Sequence, residues 1–134
     1  MQKNRVVVTG LGVISPVGND ITTFWNALKS GKSGTSLLTS FDASGFDSRI
    51  AGEVKGFDPI LYGISVKDAR RLEKFVLYAV ASAKQAITDA SLDLEKEDRH
   101  RIGVLVGSGI GGLYTIEEQH KVLLNKGPSR LSPF

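Results

Sequence analysis

The run Gly107-Ser108-Gly109-Ile110-Gly111-Gly112 matches G-x-G-x-x-G at positions 107, 109 and 112. At that spacing glycines let a pyrophosphate sit on backbone N–H groups at a helix N-terminus, and an acid about 20 residues further on holds the ribose. No acid follows Glu118, and the position 20 residues past Gly112 is Ser132. A second candidate, Gly10-x-Gly12, runs into Ser15 and Pro16 where the third glycine and an unbroken helix start belong. A dinucleotide site therefore stands only as an alternative to a glycine turn built for the backbone. Ser108 does not meet the G-x-S-x-G pattern of a nucleophile elbow either, because Val106 stands two residues before it.

Lys67, Arg70, Arg71 and Lys74 form the second group with chemical potential. The pattern predicts that they occupy the first turns of a long helix, where the macrodipole places partial positive charge and each cation is locally disfavoured. Two readings stay open: a patch that faces an external anion, and a solvated face paired with Asp68 and Glu73. Glu117 and His120 are three apart, a spacing used in helical metal sites, but no second such pair exists, and His100 sits in the charged cluster Asp98-Arg99-His100-Arg101. Neither histidine is expected to bind metal, and no cofactor is expected. The chain contains no cysteine, which removes thiol nucleophiles, disulfides and thiolate zinc sites.

Strands and helices must position these groups. Arg5 to Thr9 is a β-branched run closed by Gly10, read as a strand buried on both faces of a parallel sheet, and Ile102 to Val106 reads the same way. Asn19 or Asp20 can cap a helix carrying Ile21, Phe24, Trp25 and Leu28 at helical spacing, with Gly31 as its stop. Residues 32–57 read as a long loop in which only Ile50 to Val54 looks strand-like. Ser65 and Asp68 form a capping box opening a helix from about Val66 to Ala90. Its apolar stripe is Leu72, Phe75 or Val76, Ala79, Ala83, Ala86 or Ile87, and Ala90, small enough for another element to approach closely. A further helix is expected from about Leu113 to Leu124. Strand, helix, strand, helix gives an α/β layer fold.

A chain of 134 residues is one domain or part of one. With 41% hydrophobic and 23% charged residues it belongs with globular proteins rather than disordered ones. Its apolar runs fall far short of the ~20 residues that span a bilayer, so no membrane segment or signal sequence is expected and the cytoplasm is the default. The net charge of +3, with 17 cations interleaved among 14 acids, lacks the segregated excess of a nucleic-acid binder. Pro128 to Phe134 shows no capping element, and the chain reads as truncated there.

Three segments together resemble the condensing enzymes of the thiolase-like superfamily, most closely the β-ketoacyl-acyl carrier protein synthases of type II: Arg5 to Gly18 (RVVVTGLGVISPVG), Ile102 to Gly112 (IGVLVGSGIGG) and Gly127 to Phe134 (GPSRLSPF). The resemblance implies a layered α/β fold of two related halves, each a mixed five-stranded sheet with helices between and outside. Residues 1–134 would be an N-terminal part of the first half-domain. It implies a decarboxylative Claisen condensation in which a cysteine accepts the acyl chain and imidazoles and N–H groups stabilise the developing anions. The family's catalytic cysteine and histidines come from later segments, so this chain has no catalytic residue, and neither His100 nor His120 matches one. By resemblance, Ile110 gates the acyl pocket and Phe134 lies near that pocket and the dimer interface. Lys67, Arg70, Arg71 and Arg130 match cations that face acyl carrier protein, while Ser129 stands where relatives often carry a further base. The complete enzyme is expected to be a cytoplasmic homodimer. The rivals are a noncatalytic relative of the chain-length-factor kind and a dinucleotide-binding module.

Overall fold

The computed structural model describes residues 5–133. In chain order its main elements are α1 (Ile21–Lys29), β1 (Thr35–Leu37), β2 (Ile50–Gly52), α2 (Val66–Ala69), α3 (Lys74–Asp89) and α4 (Leu113–Lys126), with 3₁₀ turns at Pro59–Tyr62, Arg99–Arg101 and Pro128–Arg130.

The first helix begins where the sequence requires. Asp20 is its N-cap, accepting hydrogen bonds from the Thr23 amide at 2.8 Å and the Thr23 hydroxyl at 2.7 Å. These donors hold the Asp20 carboxyl below its ordinary range. After the helix the chain turns through Gly31, whose φ of +66° a side chain would strain. Ala27 is the buried residue of α1, whereas Trp25 and Leu28 of the expected apolar face are exposed. Within the expected long loop, Ile50–Gly52 does form a strand, and Thr35–Leu37, which carries no strand pattern of its own, pairs with it antiparallel in the register Thr35 to Gly52 and Leu37 to Ile50.

Helix α3 organises the rest through a close approach to the segment at 10–13. A Cβ placed on Gly10 would stand 2.2 Å from the Ala86 carbonyl oxygen, and one on Gly12 only 1.9 Å from that of Ser82. The extended segment thus lies directly on the helix backbone, over Ser82, Ala86 and Ala90 at four-residue spacing. Gln85 completes the contact by accepting from the Val13 amide at 3.2 Å and donating to the Val13 carbonyl at 3.2 Å and the Asn19 carbonyl at 2.8 Å. Asp89 accepts from the Leu11 amide at 2.9 Å. On another side of α3, the Phe57 ring meets Tyr78 edge-on at 4.9 Å and stacks on Tyr62 at 5.5 Å, and the Tyr62 hydroxyl donates to the Asn19 carbonyl.

Several expectations need correction. The single helix over 66–90 is broken: α2 ends with Arg70 as its C-cap, and Glu73, with an extended ψ of 157°, starts α3. The Ser65 and Asp68 pairing is present, with the Ser65 hydroxyl accepting from the Asp68 amide and donating to its carboxylate, but it opens a helix of only four residues. The buried line of α3 is Leu77 and Ala81, so the stripe is displaced from the one expected, in which Leu72, Phe75, Ala83 and Ile87 are exposed. The segments Arg5 to Thr9 and Ile102 to Val106 form no strand and are open to solvent, with Val6 93% and Leu105 99% exposed. A strand buried on both faces exists only through its neighbours, and the sheet formed among the described residues is the β1–β2 pair alone.

Two measurements check this packing. Gly12→Ala should cost at least about 2 kcal/mol in urea unfolding, because its methyl must displace α3 backbone rather than a side chain; a cost below about 0.5 kcal/mol would rule out the close approach. Glu53 accepts from the Ser40 amide at 2.9 Å and from the Thr39 amide and hydroxyl at 3.0 and 2.8 Å, and these bonds lower its pKa from 4.5 to about 2. A depressed carboxyl contributes its stability above its unfolded value and loses it as pH falls through the folded one, so this clasp is complete above about 4.5 and released toward about 2. An NMR titration of the Glu53 carboxyl should place its midpoint well below that of a free glutamate, and a midpoint near 4.5 contradicts the clasp.

Candidate functional site

The break between α2 and α3 gathers the cations into a short joint. Lys67 lies in α2, Arg70 closes that helix, Arg71 and Leu72 form the link, and Lys74 is the first residue of α3. All four cations are exposed. The electrostatic premise drawn from the sequence changes accordingly. Arg70 stands at a helix C-terminus, where a cation is favoured, while Lys67, second residue of the four-residue α2, and Lys74, first residue of α3, keep places at a helix start. Asp68, offered as a local partner, is engaged with the Ser65 hydroxyl instead. Among the described residues no ion pair joins Lys67, Arg70 or Lys74 to an acid.

Glu73, the other proposed partner, is used elsewhere. It caps nothing on its own helix, although it occupies the N-cap position of α3. Its Oε1 accepts from the Thr115 amide at 2.7 Å. Thr115 is the third residue of α4, the place an N-cap side chain normally serves, and the N-cap of α4 is Gly112, which has no side chain. A carboxylate from 42 residues upstream therefore supplies the missing cap, where the helix dipole favours negative charge. Glycine at 112 leaves room for the carboxylate, since a Cβ there would stand 2.7 Å from Glu73 Oε1 and press on it.

The glycine turn reaches α4 through that cap. Gly111 takes a φ of +76°, and its amide donates to the Ser108 hydroxyl at 3.0 Å, so Ser108 serves the turn rather than acting as a free nucleophile. Ile110 projects from the turn, 76% exposed. The arrangement weighs against a dinucleotide: a phosphate would have to occupy the start of α4, and a fixed carboxylate already holds it. Between the joint and the turn lies a cleft of about 940 Å³ lined by Arg70, Arg71, Lys74, Phe57, Tyr78 and Tyr114 among others. The structure thus brings Arg70 and Arg71 to one rim of the cleft and the Ile110 turn close to the other.

Arg130 is not part of this grouping. It follows the C-terminus of α4, whose N-terminus is the end that meets Glu73, so roughly 20 Å of helix separates the two. Phe134 lies outside the described residues. His100 sits exposed in the turn at Arg99–Arg101 with its amide donating to Asp98. Glu117 and Glu118 both pair with Lys121, at 3.4 and 2.8 Å, which raises the Lys121 pKa and leaves His120 outside the cluster. The capping of α4 by Glu73 is what sequence reasoning missed, having offered Glu73 only as a partner for the cations. The available signal was a helix starting at Gly-Leu with no capping side chain of its own, which indicates that a cap must come from elsewhere but not from which residue.

The sequence matches the family described as β-ketoacyl synthase, N-terminal domain, over residues 3–134. It is 49% identical over its whole length to 3-oxoacyl-[acyl-carrier-protein] synthase 2 of Vibrio cholerae, 48% to that of Coxiella burnetii and 47% to that of Synechocystis. The chain spans about a third, 32%, of the length of these curated relatives. Among solved structures it resembles the ishigamide ketosynthase/chain length factor, with a TM-score of 0.70 and 30% identity over 95% of this chain and 32% of that one. It also resembles a type II polyketide ketosynthase solved in complex with its acyl-carrier protein, with a TM-score of 0.67 and 27% identity over 98% of this chain and 33% of that one.

Proposed function

The chain belongs to the β-ketoacyl synthase N-terminal domain family, and from that premise we propose that it is the N-terminal part of the first half-domain of a fatty-acid elongating β-ketoacyl-acyl carrier protein synthase. The observation that carries the proposal is identity of 47 to 49% along the whole chain to synthases named for that reaction. Identity to the solved ketosynthases is lower, 27 to 30%, the higher value being to the ishigamide ketosynthase/chain length factor, which ranks the chain-length-factor alternative second. The complete enzyme is a cytoplasmic homodimer in this reading; among the described residues no helix is long and apolar enough to cross a membrane.

The reaction runs in two stages. A cysteine thiolate attacks the acyl-carrier thioester and releases the carrier thiol; malonyl-carrier then loses carbon dioxide, and its carbanion attacks the enzyme-bound thioester, breaking the C–S bond and releasing the cysteine thiolate with the β-ketoacyl chain on the carrier. This chain's share is binding. Lys67, Arg70 and Arg71 form the carrier-docking surface, with Arg130 an outlying contribution, and Ile110 and Phe134 border the acyl pocket. A neighbouring ketosynthase that was solved with its acyl-carrier protein supports a carrier as the partner. Clustered exposed cations of this kind raise the rate of encounter with an acidic partner and lose their effect as salt screens them.

Two experiments test the assignment. The 134-residue chain, having no thiol, should take no acyl label from radiolabelled acyl-carrier above a boiled control. In the complete synthase, Lys67→Glu with Arg70→Glu should raise the apparent KM for carrier-bound substrate roughly tenfold at low ionic strength and much less in high salt, with the melting temperature nearly constant. An effect independent of salt, or a fall in melting temperature of many degrees, assigns the joint a structural role instead.

A further inference from the structure

The cationic joint and the glycine turn are connected through one carboxylate. Glu73 sits in the joint, between Leu72 and Lys74, yet its side chain leaves that neighbourhood and caps α4 at Thr115. Ile110 lies two residues before the N-cap glycine that receives this carboxylate. The stretch from Ile102 to Ile110 is exposed, and the internal bond from Gly111 to Ser108 shapes the turn without fixing it to the body of the protein. Where the turn stands relative to α3 thus depends on the α4 start, and the α4 start is tied to α3 by Glu73.

We propose that Glu73 is a positioning residue that sets the placement of the Ile110 turn and so the acyl-length selectivity of the complete enzyme. The proposal rests on the reading of Ile110 as a border of the acyl pocket. Glu73 touches neither substrate nor a reacting atom in it. Its carboxylate holds the first turn of α4 against the α2–α3 joint, in room that the missing side chain of Gly112 leaves. Removing the carboxylate leaves the Thr115 amide without its cap and lets the turn shift relative to the pocket. Gln keeps an acceptor of the same length but loses the charge that the helix dipole favours, so it should restore part of the effect.

The test uses the complete synthase with Glu73→Ala, Glu73→Gln, Ile110→Ala and the double variant Glu73→Ala/Ile110→Ala. Two readouts are needed: hydrogen exchange of the Thr115 amide, and kcat/KM across a series of acyl-carrier chain lengths. Glu73→Ala should speed Thr115 exchange at least tenfold and change the ratio of long-chain to short-chain kcat/KM severalfold, with Glu73→Gln intermediate in both. If the two sites act through one turn, the double variant should show less than the product of the single effects on that ratio. Unchanged Thr115 exchange in Glu73→Ala overturns the cap. Faster exchange with an unchanged length profile overturns the positioning role, provided Ile110→Ala does change the profile. If Ile110→Ala leaves the profile flat, the pocket assignment fails and this inference fails with it. Should Glu73→Ala not fold, Glu73→Gln carries the same two readouts, and wild-type values in both overturn the proposal.

Discussion

The close approach of residues 10–13 to helix α3 is the contact on which the remaining packing depends. It requires absence of side chain on one partner and small side chains on the other, and the sequence meets both conditions with Gly10 and Gly12 against Ser82, Ala86 and Ala90. Backbones this close exclude water from their polar groups, which must then be paired within the contact. Gln85 does this for Val13 by offering one amide group to both its N–H and its carbonyl, in effect standing in for a neighbouring strand. The same side chain reaches the Asn19 carbonyl, just before the α1 cap, so α3 also fixes where the first helix starts. Buried apolar area contributes less than usual here: Ala81 is the fully buried residue in a core of small side chains with Leu77 and Ile64.

The cations at the joint show how a local backbone event changes an electrostatic argument. On an unbroken helix, Lys67, Arg70, Arg71 and Lys74 would all oppose the macrodipole. The break converts Arg70 into a C-terminal residue and leaves the conflict at Lys67, in the short α2, and at Lys74. Relief within the chain is therefore partial compensation already made, and an external anion is no longer required to explain the cluster. What argues for an acidic partner is exposure and the engagement of the nearby acids elsewhere, Asp68 with Ser65 and Glu73 with α4. Both acids make their hydrogen bonds away from Lys67, Arg70 and Lys74, which stay exposed.

Local signals were legible and pairing signals were not. The caps at Asp20 and Ser65, the stop at Gly31 and the extent of α4 follow from side chains acting on backbone within a few residues, and each stands where the sequence placed it to within two residues. The break at 70–73 escaped because every residue there is an adequate helix former, and the Glu73 side chain, at the break, is bonded to Thr115 far along the chain. The β-branched runs at 5–9 and 102–106 have the composition of buried strands but form none among the described residues, because a ladder also needs partners, which periodicity does not identify. The paired strand that was missed, Thr35–Leu37, is defined wholly by its register with Ile50–Gly52. At the site, the cation cluster and the turn were both visible as residue types. Their shared cleft was not, because no short-range pattern joins positions 70 and 112.

The two glycine motifs make the same point in sharper form. Gly10-x-Gly12 and the run from Gly107 to Gly112 look alike as strings, and both invite comparison with phosphate-binding loops. Physically they differ from each other and from such a loop. The first pair is required by proximity, since any side chain there would enter the α3 backbone. The second run is required by conformation at Gly111, with its positive φ, and by clearance for a carboxylate at Gly112. Gly107 and Gly109 meet nothing within van der Waals reach, so steric crowding gives no reason for glycine there among the described residues. A phosphate loop would leave the helix start open and its amides unpaired, whereas here the Thr115 amide is committed to Glu73 at 2.7 Å. The occupant of the helix start, rather than the spacing of the glycines, decides what such a motif can bind.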